Sequence, residues 1–216
     1  CVESILSQTY KKFNLHILDN CSNDGSLEWI KSVQDDRIII YPSDKKLTIE
    51  YNWSRIKDIP MNEFITLIGH DDILLKNYLQ EMDLLIEKYP DASLYQAHFD
   101  YINANGNFVH HCKPMKPVMY VQDFLQAQFT RSLDSTGTGY MMRSKDYVET
   151  GGIPGKYPNL IFADFELWVR LISKNYLAVS PEKSFHYRVH KSTSTLTNGD
   201  AYQKAFEYYV LFLKNA

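Results

Sequence analysis

The 216-residue chain is 44% apolar and 23% charged with a formal net charge of −3, the balance of one globular domain large enough to bury a core. A mildly acidic chain without a Lys/Arg run gives no electrostatic basis for binding nucleic acid, and no apolar stretch approaches the roughly 20 residues that span a bilayer. Cys1, Cys21 and Cys112 are odd in number and unpatterned, which fits neither a disulfide framework nor a zinc site and suits a reducing compartment.

Cys1–Leu6 has helical periodicity from its first residue, with neither a cap nor an initiating Met, so an upstream segment carrying a first strand is expected. Phe13–Leu18 reads as a buried strand ending at Asp19-Asn20. The turn formers Cys21–Ser26 follow, and Asp24 or Ser26 is placed to cap a helix through Leu27, Trp29, Ile30 and Val33. Arg37–Tyr41 is a second strand stopped by Pro42. A helix is predicted over Thr48–Ile59, a strand over Glu63–Ile68, and a helix over Lys76–Lys88 with Leu79, Met82, Leu85 and Ile86 at helical spacing. Strands alternating with amphipathic helices predict an α/β fold with a mostly parallel central sheet flanked by helices.

Beyond residue 92 the pattern changes. Ser93–Tyr101 and Asn107–Cys112 read as strands joined by the turn Asn103-Ala104-Asn105-Gly106. Asp123–Gln128 reads as helix. Ser135–Gly139 is a small-residue loop ahead of the apolar Tyr140-Met141-Met142. A helix is predicted over Asp164–Lys174, a strand near Phe185–His190, and a last helix from Asp200. With no repeat or low-complexity linker, the chain reads as a single domain over residues 1–216, with a nucleotide half over about 1–92 and an acceptor half over about 93–216.

Asp71 and Asp72 stand together at a strand end, where adjacent carboxylates repel unless a cation joins them. Hard oxygen donors of this kind suit Mg²⁺ or Mn²⁺ beside phosphate. Equally, Asp72 is a good helix N-cap with Asp71 solvated. Asp19 and Asn20 offer hydrogen bonds to a base or ribose, or simply form a turn. Gly137 and Gly139 suit close approach of backbone to a ligand. Asp164 begins a helix, where a carboxylate is favoured by the dipole. Tyr140, Tyr157 and Trp168 are candidate sugar platforms, with core packing favoured for Trp168 because it shares a face with Leu171.

Ser4-Ile5-Leu6-Ser7-Gln8-Thr9-Tyr10 and Leu18–Ser26 together resemble the opening of family 2 glycosyltransferases of the GT-A Rossmann-like fold, where "SILSQTY" precedes a "VDDGSTDGT"-like segment. Ile65–Leu74 is similar to that family's "(F/L)LDSDDIL", Asp164–Leu171 to its "EDYDLWLRL", and Tyr187–His190 with Ser192 and Ser194 to its closing "YRxHxxSxS". Four motifs in family order span Ser4 to Ser194.

The resemblance implies an inverting, metal-dependent transfer of a sugar, hexosyl or related, from a nucleoside-diphosphate sugar to a saccharide or lipid-linked saccharide acceptor. It implies a role in surface polysaccharide or glycan synthesis, in the cytoplasm or peripherally at the inner membrane face. Asp19 and Asn20 match nucleotide-binding positions. Asp71 matches the acid that binds the metal beside the diphosphate, and His190 a histidine that assists metal or phosphate binding. Asp164 matches the catalytic base. His70, Asp72, Gly137, Gly139 and Glu166 fall where supporting or acceptor contacts are made. Gly69 replaces a common first Asp and Ala163 a common Glu. A nucleotidyltransferase, or a binding module without catalysis on the same fold, are the rival readings.

Overall fold

The computed structural model describes residues 1–189 and 199–215. Strands β1 (Leu15–Leu18) and β2 (Ile38–Tyr41) pair in parallel as a two-stranded sheet, Leu15 opposite Ile38. In the larger sheet β3 (Phe64–Thr66), β8 (Tyr140–Arg143), β5 (Leu94–Ile102), β9 (Leu177–Arg188) and β4 (Ile73–Leu74) lie side by side in that order. There β6 (Phe108–His111) also pairs with β5, and β7 (Val118–Met119) with β9. The described α-helices are α1 (Val2–Leu6), α2 (Ser26–Ser32), α3 (Ile49–Ser54), α4 (Tyr78–Lys88), α5 (Val121–Phe129), α6 (Ser144–Glu149), α7 (Ala163–Ile172) and α8 (Gly199–Asn215), with short 3-10 turns at Arg55–Asp58 and Pro158–Leu160.

The α/β class is as predicted, but a mostly parallel sheet is not what the chain builds. Among the described residues only β1/β2 and β5/β9 are parallel; β3/β8, β4/β9, β5/β6, β5/β8 and β7/β9 are antiparallel. Parallel neighbours need a long crossover, whereas a short turn returns the chain antiparallel. The turn at Asn103 does so between β5 and β6, its Oδ1 accepting from the backbone N–H groups of Asn105 and Asn107 at 2.9 and 3.0 Å. The strand expected at Phe185–His190 instead begins at Leu177. Pro181, Glu182 and Lys183 are exposed, and pairing with β5 shifts register around His98, so this stretch lacks the alternation that marks a half-buried strand.

Period-two alternation on β5 distributes two cores. Leu94 faces Tyr140, Met142, Trp168 and Val179, beneath α5 and α7. Tyr95, Ala97 and Phe99 face the opposite way, toward Tyr78, Met82 and Leu85 of α4 and Ile5 of α1. A third cluster packs Tyr209 and Ala205 of α8 against Tyr157 and Ala163. At its edge lies the ion cluster of Glu166, which is 0% exposed. Its Oε2 accepts from the Tyr157 hydroxyl and from Lys156 Nζ at 2.8 Å, and its Oε1 from Arg170. Truncating one member of such a cluster strands the others, while Lys156 and Arg170 keep partial access to water. Glu166→Ala is therefore expected to destabilise the fold by about 2 kcal/mol in urea unfolding, with the slope of the transition unchanged.

Candidate active site

The polypeptide leaves β3 at Thr66 and turns through Gly69-His70-Asp71-Asp72 into β4. A Cβ on Gly69 would stand 2.8 Å from Asp71 Oδ1, so the absent side chain lets the Asp71 carboxylate fold over its own turn. Asp72 is 2% exposed. Its Oδ2 accepts from Thr138 Oγ1 at 2.6 Å and its Oδ1 from the Arg188 amide at 2.8 Å. Burial pushes the Asp72 carboxyl up, and these two donors draw it back. Asp72 caps no helix, because β4 follows it directly and α4 starts only at Tyr78 behind Asn77. Arg188 secures the same turn through Nε to the Asp71 carbonyl at 2.7 Å and reaches the Asn103 carbonyl through Nη1 at 2.9 Å.

Asp164 lies in the first turn of α7, which opens after Phe162 at φ +65°. Oδ1 accepts from the Phe165 amide at 2.9 Å. Oδ2 stands 3.6 Å from the point a Cβ on Gly137 would occupy. The carboxyl sits deep while part of the residue stays open to solvent, and desolvation pushes it up to about 6. Burial pushes the Tyr187 phenol up to about 12, with smaller contributions from the charges of Asp72, Asp164 and Asp71. One phenol thus lies within electrostatic reach of all three carboxylates.

The turn after β3, the glycine loop and the start of α7 thus lie together, with Thr138 bonded to Asp72 and Gly137 beside Asp164. Other expectations are redirected. Gly139 does not face a ligand: at φ +80° its missing Cβ is replaced by the Phe185 ring, whose Cζ would be 2.4 Å away. Glu166 is committed to its buried ion cluster. Tyr140, Tyr157 and Trp168 are 0%, 0% and 1% exposed, so none is a sugar platform; each packs, and Tyr140 stacks on Trp168. His70 is exposed at the turn. His190 lies outside the described residues.

Asp19, 6% exposed, directly follows β1 and accepts from the Ser22 amide at 3.2 Å. Asn20 spends its amide on Leu47, donating to the carbonyl at 3.0 Å and accepting from the N–H at 2.8 Å, so it fastens a loop with the atoms that were expected to read a base. Arg55, which nothing in the sequence singled out, donates to the carbonyls of Asp19 at 3.0 Å, Tyr41 at 2.5 Å and Pro42 at 3.3 Å, tying the ends of β1 and β2. Its only linear signal was a cation near the end of an amphipathic helix.

Among the described residues no three His, Cys, Asp or Glu side chains gather as a metal cage. Asp72 has both oxygens engaged by Thr138 and Arg188, and Asp71 is the carboxylate beside it in the same turn. One carboxylate with phosphate oxygens and water is how Mg²⁺ is commonly held, so the donor set fits such an ion.

The mixed sheet flanked by helices is an α/β domain that matches the GT-A Rossmann-like fold of glycosyltransferase structures. The family model Glycosyl transferase family 2 matches residues 1–151, and the chain belongs to that family. It is 27% identical to an uncharacterized glycosyltransferase of Methanocaldococcus jannaschii over 97% of this chain and 71% of that protein. It is 26% identical to the glycosyltransferase GlyG of Streptococcus pneumoniae over half of this chain and 36% of that one. The crystal structure of S. aureus TarS residues 1–349 in complex with UDP-GlcNAc superposes with a TM-score of 0.78 at 12% identity. That match covers all of this chain and 62% of the TarS chain, and it speaks to the fold. No helix among the described residues is long and apolar enough to cross a membrane.

Proposed function

We propose that this protein transfers a sugar from a nucleoside-diphosphate sugar to a hydroxyl of a saccharide or lipid-linked saccharide, with inversion at the anomeric carbon. The observation that carries this reading is the placement of Asp164 Oδ2 beneath Gly137, in the same loop whose Thr138 holds Asp72. Asp164 thus lies across a short loop from the acidic turn of Asp71 and Asp72, and we take the first as proton acceptor and the second as the side on which a cation would meet the diphosphate. The chemistry needs both. The acceptor oxygen forms its bond to the anomeric carbon as the bond to the diphosphate oxygen breaks, the electron pair leaving with the nucleoside diphosphate. Asp164 takes the acceptor proton, and a carboxyl raised to about 6 is poised for that near neutral pH. Asp71, with the donor diphosphate and His190, would hold a divalent cation, which when bound neutralises the leaving diphosphate. Asp19 anchors the nucleoside end. One base and one displacement give inversion.

We place the activity in surface polysaccharide or glycan synthesis, with the protein cytoplasmic or peripheral at the inner membrane face, on the family resemblance alone. The test is a thermal-shift panel of UDP, GDP, dTDP and their sugars with Mn²⁺, followed by product analysis. Release of nucleoside diphosphate with sugar on the acceptor supports the reading. Release of pyrophosphate would mean nucleotidyl transfer instead, and binding without turnover a module without catalysis. Within that panel Asp71→Ala is expected to weaken binding of the preferred nucleoside diphosphate at least tenfold with Mn²⁺ present and hardly at all with EDTA. Equal affinity in parent and variant would remove Asp71 from the metal site.

A further inference from the structure

Three successive residues of the glycine loop touch three parts of the site. The Thr136 carbonyl accepts from Trp168 Nε1 at 3.2 Å. Gly137 lies over the Asp164 carboxylate. Thr138 Oγ1 donates to Asp72 Oδ2 at 2.6 Å. Thr136 Oγ1 donates to the Thr138 carbonyl at 2.7 Å, closing the loop on itself. Trp168 stands one helical turn after Asp164, on the same face of α7. Thr136, Thr138, Trp168 and Asp72 are 3%, 6%, 1% and 2% exposed, so water does not compete for these bonds. The chain continues from Asp72 to the Arg188 amide and from the Arg188 side chain to the Asp71 carbonyl.

We propose that Thr136-Gly137-Thr138 is a strap that fixes the base on α7 relative to the Asp71 turn, with Thr138 and Trp168 as the positioning residues at its two ends. This rests on the functional reading above, in which Asp164 and Asp71 act on opposite partners of one displacement. Neither Thr138 nor Trp168 touches the reacting atoms. Their effect is on geometry, and a misplacement of about 1 Å is enough to lower a rate roughly 100-fold. Buried hydrogen-bond chains with every member satisfied act as rigid units, which is the property such a strap needs.

Thr138→Val keeps the shape and removes the donor to Asp72; Thr138→Ser restores the hydroxyl. Trp168→Phe removes the donor at the other end while keeping a ring against Tyr140, and serves if the Val variant does not fold. Turnover is followed on whichever UDP-, GDP- or dTDP-sugar the parent consumes, with Mn²⁺. Thr138→Val and Trp168→Phe are expected to lower kcat 10- to 100-fold while the Kd of the matching nucleoside diphosphate changes less than threefold, and Thr138→Ser to return to within threefold of the parent. Separately, exchange of the Trp168 indole N–H, read by NMR, is expected to quicken at least tenfold in Thr138→Val, because that bond lies at the far end of the strap. Unchanged indole exchange would overturn the strap as a unit. Quickened exchange with parental kcat would overturn its positioning role. A parent that consumes none of these donors counts against the functional reading itself, and the indole exchange then still decides whether the strap is one unit.

Discussion

Asp164→Asn should lower sugar transfer by roughly 10²–10⁴-fold, the usual contribution of a general base, while the variant binds nucleoside diphosphate with Mn²⁺ as the parent does. The amide keeps the shape and the acceptor for the Phe165 amide but cannot take a proton. In the parent, kcat/KM should fall as pH drops through about 6, because the carboxyl must be ionised to act and desolvation holds it near that value. Stability runs in the opposite direction. A carboxyl with a folded-state pKa above its ordinary value favours folding fully below about pH 4, and that contribution is lost as pH rises through about 6. The charged form is thus a burden on the fold at neutral pH, on the order of 3 kcal/mol. Asp164→Asn is accordingly expected to match or exceed the parent in Tm at pH 7.5, with the advantage gone at pH 4. Full turnover in the Asn variant, or an acid limb that does not move when it is made, would take the base role from Asp164.

The second large effect concerns the fold that holds the site. At Gly139 two constraints coincide: a backbone at φ +80° and a Phe185 ring occupying the volume of a side chain. Phe185 has no room to yield, being 1% exposed, stacked on Phe99 at 4.6 Å between centroids and edge-on to Tyr78. A left-handed residue with a Cβ costs about 1–2 kcal/mol, and overpacking a filled core about 1–3 kcal/mol more. Gly139→Ala is expected to destabilise by roughly 3 kcal/mol in denaturant unfolding and to lower soluble yield. Gly137→Ala is the contrast, since a Cβ there meets Asp164 Oδ2 at an ordinary 3.6 Å and at no left-handed φ; its unfolding midpoint should stay near that of the parent. Two glycines two residues apart would then separate, one needed for packing and the other for open space over the base. Equal stability of the two Ala variants would show that Phe185 can move, and would remove the packing argument.

Much of this protein is decided by its linear pattern. Apolar residues at helical spacing set α4 and α7, and the Asn103–Gly106 turn sets the β5/β6 hairpin. The order of the four motifs, from Ser4 to Ser194, sets family and class, because these depend on residue type and spacing alone. The linear pattern also put Asp71 at a strand end and Asp164 at a helix start, which is where an oxyanion or base can be presented. Partner choice, however, is a three-dimensional property. How the Asp72 carboxylate is spent depends on Thr138 and Arg188, which stand 66 and 116 residues from it. Whether Gly139 serves a ligand or the core depends on Phe185, and Asn20 is occupied because Leu47 folds back onto it. The short strands β4 and β7 and the first half of β9 exist because neighbours supply hydrogen bonds that no local periodicity announces. Residue type and spacing are enough to say which chemistry-bearing residues are present and on what kind of element most of them sit. Tertiary structure decided which of them are spent on one another, because burial removes water as the alternative partner.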